Sequence, residues 1–260
     1  MIFGLEFPTI EHLVEWPGFW GDTTGSGDWH ALNKIGLSAL IATATTLAIY
    51  FIAASQAKTR MVPSGVQTIA EAGIDFIDNG IIDQTMGEEG RGWNPFLLSI
   101  FSFVLITNLF EIIPGWQMSG NARMAFPALL ALVVWVAFIG TGIKHQGPAY
   151  FKNAVIPPGV PGALLPLVAL IEFVSTFLVR PFSLAVRLFA NMLAGHILLV
   201  TFVVLCESLW TTEWFAVFLP LPFIMLVLLT GFELMVSFLQ AYIFTILAAV
   251  YIGSSLHADH

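Results

Sequence analysis

Two stretches of this chain, from Ala163 to Cys206 and from Trp214 to Ser254, stay apolar over about twice the roughly 20 residues that carry a helix across a bilayer. A soluble core able to absorb them would need a polar exterior, and charged residues make up only 10% of the chain. The protein is therefore read as an integral membrane protein. Tight turn signals are missing from the middle of both stretches, so each reads as one long, tilted helix rather than a pair of spans. Pro181 offers a kink in the first, and Pro220-Leu221-Pro222 lies near the start of the second.

Three shorter apolar runs, over 33–55, 95–113 and 125–143, read as further spans. Between the first two, Val62-Pro63-Ser64-Gly65 breaks the chain. Beyond it, Ile69, Ile74, Ile77 and Ile81 alternate with Glu71, Asp75, Asp78 and Asp83 at helical spacing up to Met86. This predicts an amphipathic helix on the membrane surface. Its acidic face is unlike the basic face of lipid binders and suits either a protein partner or solvent. Residues 1–30 set Trp16, Trp20 and Trp29 among acids, as in an interfacial segment. The Pro- and Gly-rich stretch from Lys144 to Pro161 reads as a loop. The expected fold is an all-α integral membrane protein, a single membrane domain over 1–260. It has about five membrane-embedded helices plus one amphipathic surface helix, the last two helices long and tilted.

Orientation in a membrane follows Lys and Arg placement. Lys58, Arg60, Arg91, Lys144 and Lys152 fall on one side, Lys34 and Arg123 on the other. This puts the 56–94 and 144–160 loops in the cytoplasm and the N-terminus outside; an odd number of crossings leaves His257 and His260 inside. No basic region precedes the first apolar run, which is expected to serve as an uncleaved anchor. Cys206 is the only cysteine, so neither an internal disulfide nor a cysteine metal site can form. His145, His257, Asp259 and His260 lack constrained ligand spacing, and no metal is expected. The chain shows no Walker A sequence, dinucleotide fingerprint or serine nucleophile elbow. It is expected to use no cofactor, bind no nucleic acid and hydrolyse no nucleotide itself.

Within these apolar runs the polar residues stand out. A guanidinium near the bilayer centre costs about 2.5–3.5 kcal/mol on insertion scales, and Arg187 cannot escape by deprotonating. On a helix, Ser183, Arg187 and Asn191 share one face at i, i+4 spacing, with Ala190, Ala194 and Gly195 in the same broad arc. Small residues there let another helix approach. His196 lies about 180° around and roughly 13 Å along from Arg187, so it belongs to the opposite surface. On the last helix, Thr230, Glu233, Ser237 and Gln240 fall within about 80° of arc. A carboxyl and an imidazole in one bundle suit a proton relay; the competing reading is hydrogen bonding that only fastens helices. Arg180 reads as a snorkelling anchor. Glu172 either lines an aqueous access path or pairs with Arg180. Glu111, next to Pro114, reads as an interfacial carboxylate.

The run Arg180-Pro-Phe-Ser-Leu-Ala-Val-Arg187-Leu-Phe-Ala-Asn191-Met-Leu-Ala-Gly195 resembles the signature of subunit a of F-type ATP synthases, as does Leu239-Gln240-Ala-Tyr-Ile-Phe244. The resemblance extends to Val62-Pro63-Ser64-Gly65-Val-Gln67 and Asn108-Leu-Phe-Glu111-Ile-Ile-Pro114, and covers roughly 58–256. It implies the stator half of a membrane motor in the bacterial plasma membrane. Its partners would be a ring of c subunits with mid-membrane carboxylates, the peripheral-stalk b subunits, the rest of the synthase and the surrounding lipid. The transported ion would be H+. By the same resemblance Arg187 matches the essential arginine that meets the ring carboxylates, and Ser183 and Asn191 match positions near the access channel. Gln240 matches a glutamine near the arginine. His196 and Glu233 match the outer half-channel, although some members carry the acid first and the histidine second. With Ser237 and Glu172 they would complete the proton path. Ala190 stands where many members have Gly. Two rivals are a secondary transporter with Arg187 at a mid-membrane anion site and a non-transporting scaffold.

Overall fold

A computed structural model describes residues 34–58, 62–113, 120–156, 164–211 and 215–256, and every regular element among them is helical. Helix α1 spans Lys34–Ala57. Helix α2, Val66–Ile77, continues through a wide π turn, Asp78–Ile82, into a short turn at Asp83–Thr85. Helix α3, Asn94–Leu109, is entered through a 3-10 turn at Glu88–Trp93. Helices α4, Ala125–Gln146, and α5, Ala149–Val155, follow. Helix α6, Leu165–Val174, passes through a π segment, Ser175–Val179, into α7, Arg180–Thr211. Helix α8, Pro220–Leu256, completes the described chain. The tryptophan-rich N-terminal segment, Arg60, the Pro114-Gly115 turn and the tail histidines lie outside the described residues.

Among the described residues, five helical stretches are long and apolar enough to cross a membrane: Gly36–Ala57, Glu88–Leu109, Ala125–Gln146, Leu165–Trp210 and Pro220–Leu256. Helix α2 is not one of them, so the fold is the expected five-span, all-α membrane architecture with an additional amphipathic helix. The last two stretches hold 46 and 37 residues. At the α-helical rise they extend about 69 and 56 Å, well beyond a hydrocarbon layer about 30 Å thick. Helix α8 carries neither Lys nor Arg.

The described residues group into two compact units. One is drawn from 34–45, 103–123 and 189–240, the other from 46–102, 124–188 and 241–256. In the second unit, α2 buries Ile77, Ile81 and Ile82 completely but leaves Ile69 and Ile74 exposed. The π turn that follows holds one extra residue per turn, and neighbouring Ile81 and Ile82 are both fully buried in it. Asn94 fastens this turn, its Nδ2 donating to Asp78 Oδ1 at 2.6 Å and to the Ile74 carbonyl at 3.4 Å. The Arg91–Asp83 ion pair, 3.8 Å and well exposed, adds little.

Aromatic rings fill the rest of this unit, with Phe76 against Phe101 and Tyr242, Phe138 against Tyr251, and Phe151 stacked on Phe177. Helix α5 occupies part of the stretch expected to be a loop. It forms because Gly142 of α4 has no Cβ, which would collide with the Tyr150 ring, and because the Tyr150 hydroxyl reaches Ser255 Oγ at 3.4 Å. The π segment between α6 and α7 leads into a proline. Pro181 has no N–H, so the carbonyl of Phe177 four residues earlier loses its helical donor. Trp135 of α4 replaces it, its indole Nε1 donating to Phe177 O at 3.2 Å.

Candidate functional site

The first unit gathers polar side chains that an apolar bundle has no packing reason to hold. Helix α3 and the turn after it contribute Asn108 and Glu111, the 3-10 turn Gly120–Ala122 contributes Asn121, α7 contributes His196, and α8 contributes Glu233, Ser237 and Gln240. All seven are buried. A chain of amide hydrogen bonds joins three segments: Asn121 Nδ2 donates to Asn108 Oδ1 at 2.8 Å, and Asn108 Nδ2 donates to the Ser237 carbonyl at 3.4 Å. Gly120 makes the approach possible, since a Cβ there would lie 2.8 Å from Thr107 Cγ2.

The carboxyl group of Glu233 lies against the backbone of α7 at Gly195. A Cβ on Gly195 would sit 2.5–2.6 Å from both carboxyl oxygens and Cδ, so only glycine admits this acid. The side chain next along α7 is His196. Glu233 is 4% exposed and His196 8%. Helical spacing sets His196 opposite Arg187, and on α7 the imidazole is buried while Arg187 is exposed.

Glu111, expected at an interface, joins the site instead: it is 3% exposed, in the turn that ends α3. Burial, and then the negative field of Glu233, pushes its carboxyl up to about 9. Neither Glu111 oxygen meets a hydrogen-bond partner among the described residues. The same holds for Glu233 Oε1, Ser237 Oγ, Gln240 Nε2 and Asn191 Nδ2. Buried polar atoms are normally satisfied, so this concentration of open hydrogen-bonding capacity is unusual. It can pass a proton or accept water. Only the motif Asn108-Leu-Phe-Glu111 could have flagged Glu111, because its partners come from segments far away in sequence.

The remaining expected site residues lie elsewhere. Ser183 is half-buried and Arg187 exposed on α7, followed along the same helix by exposed Ala190, half-buried Asn191 and exposed Ala194. Glu172 on α6 is half-buried and forms no ion pair with Arg180 among the described residues. The Arg180 guanidinium instead lies 5.2 Å from the centroid of the Tyr251 ring, a cation–π contact that holds it inside the second unit. Thr230 is turned to its own helix, donating to the Leu226 carbonyl at 2.8 Å.

Several proteins named ATP synthase subunit a are similar to this chain. That of Frankia alni is 41% identical over 260 residues, covering 99% of this chain and 88% of its own length. That of Streptomyces lividans is 40% identical over 271 residues, covering 98% and 94%. That of Rhodococcus erythropolis is 41% identical over 232 residues, covering 88% and 84%. The model of the family described as ATP synthase A chain matches residues 36–253, and this five-span helical chain belongs to that family.

Proposed function

We propose that this chain is the proton-channel subunit of the membrane sector of a bacterial ATP synthase, a multi-pass protein of the plasma membrane. It assembles there with the rest of the complex. In this reading it is the stator against which a ring of carboxylate-bearing c subunits turns, held by peripheral-stalk b subunits. The supporting observation is the two-sided character of α7. Arg187 is exposed, as are Ala190 and Ala194 on its face, whereas His196, about 180° around the helix, is buried; Gly195, which spacing puts in the arginine's broad arc, is buried against Glu233 instead.

Protons enter by the path that includes His196 and Glu233 and neutralise a ring carboxylate. Only the neutral carboxyl turns cheaply into lipid. After nearly a full revolution the proton is released to the cytoplasmic path, which Glu172 and Ser183 help to line. Arg187, permanently protonated, attracts the ionised carboxylate and blocks direct leakage between the two half-channels. Asn191, Ser237 and Gln240 supply hydrogen-bonding groups along the way. Each charge crossing contributes about 2.3 kcal/mol per 100 mV, delivered as rotation. The N-terminus lies outside and the C-terminus in the cytoplasm.

ATP-driven acidification of inverted membrane vesicles tests this reading. Arg187→Ala is expected to abolish pumping while the complex still assembles, with passive leak unchanged or higher. Normal pumping by an assembled Arg187→Ala complex would sink it.

A further inference from the structure

The second unit also holds a cavity of about 490 Å³ whose chemistry the proton path does not use. Its apolar walls include Leu47 and Ala54 of α1, Ala70 and Ile74 of α2, and Leu98 of α3. Size and lining both fall within the range of sites for small molecules. The other polar side chains along it already have partners: the Tyr50 hydroxyl lies 2.6 Å from Ser102 Oγ, Asn94 donates to Asp78, Ser99 Oγ donates to the Pro95 carbonyl, and Thr46 is engaged as well.

One pair on α2 remains. Gln67, 3% exposed, gives its amide N–H to Glu71 Oε1 at 2.8 Å. The amide oxygen of Gln67 is buried and meets no hydrogen-bond partner among the described residues. An amide oxygen and a carboxylate side by side accept hydrogen bonds and cannot donate. What completes this end of the cavity has to bring a hydrogen-bond donor, and the carboxylate favours a positively charged one, attached to an apolar body that follows the walls. Lys58, exposed and directly after the wall residue Ala57, puts a cation near the end of α1.

We propose that this cavity binds a membrane lipid with a primary ammonium headgroup. The ammonium meets Gln67 Oε1 and Glu71, the phosphate faces Lys58, and an acyl chain lies along α1 and α3. An anionic headgroup would set its charge against Glu71 and offer the amide oxygen no cation. A trimethylammonium headgroup has the charge but no N–H to donate. A lysine on a neighbouring subunit's helix would offer the same head chemistry and is the competing occupant.

The test uses the whole synthase complex, reconstituted in phosphatidylcholine vesicles that contain either phosphatidylethanolamine or phosphatidylglycerol. Lipid retained on this subunit is read by native mass spectrometry. The intact chain is expected to retain phosphatidylethanolamine in preference to the other two lipids, a comparison that needs no variant. Glu71→Gln, which removes the charge, should lower retention about tenfold, the loss of one charge-assisted hydrogen bond, and Ala54→Trp, which fills the cavity from the wall, should lower it at least as much. Equal retention of phosphatidylglycerol, or retention unchanged in both variants, overturns the proposal. So does a cross-link from Ala54→Cys to a neighbouring subunit with no lipid retained, which would give the cavity to a protein helix.

Discussion

The Glu233 carboxyl fills the space that a side chain at position 195 would need. An Ala at 195 would bring a methyl within 2.5–2.6 Å of the carboxyl group, so the acid would have to swing off α7. Gly195→Ala is therefore expected to lower ATP-driven pumping in assembled complexes. Shortening the acid in Gly195→Ala/Glu233→Asp should recover part of it, which quinacrine-type acidification assays on vesicles can compare. Glu111 leads to a separate prediction about pH. Its carboxyl moves from an ordinary value of 4.5 to about 9 on folding, so the folded state holds a proton that the unfolded state gives up. Its contribution to stability is complete below 4.5, declines as pH rises through the interval, and is fully lost by about 9. Replacing it in Glu111→Gln should flatten the alkaline fall in the thermal unfolding midpoint of the subunit across that window. Arg187, His196 and Glu233 could be picked out from the sequence because a polar group in an apolar run is conspicuous by itself. Glu111 was visible only as an interfacial carboxylate, because its burial near Glu233 joins positions far apart in sequence.

At the scale of elements, the π segment before α7 is fastened by a hydrogen bond between helices. Trp135→Phe keeps an aromatic ring and removes the donor, leaving the Phe177 carbonyl unmatched, at a cost of about 1–3 kcal/mol. Pro181→Ala restores a backbone N–H four residues after Phe177. The tryptophan substitution is thus expected to be costly with Pro181 present and nearly silent in the Pro181→Ala background, a double-mutant cycle readable by thermal unfolding. Equal costs in the two backgrounds would show that the indole serves only as packing. The proline stood out in the sequence; the indole that meets the carbonyl it leaves without a donor, 42 residues earlier, did not. The span of α1 and the continuity of α8 were also legible from hydrophobic runs. The π turn at Asp78–Ile82 was not.

For the molecule as a whole, the testable quantity is orientation. In a Cys206→Ala background, a cysteine at Lys152 should react with a membrane-impermeant maleimide in inverted vesicles and be protected in intact cells, as the balance of Lys and Arg requires. The number of spans could be read from sequence because each needs a long apolar run. Helix α5 could not, since seven residues between prolines and glycines become a helix only through Tyr150 docking on Gly142.

The absence of cations from α8 matters for how the protein is made. From Leu188 onward the chain contains no Lys and no Arg. Its last 37-residue helix therefore enters the membrane with no charge signal of its own to set direction. That direction has to be inherited from helices inserted earlier in translation. Synthesis order thus becomes part of the folding information: a charge change at Lys58 or Lys144, early in the chain, can invert a helix that has not yet left the ribosome.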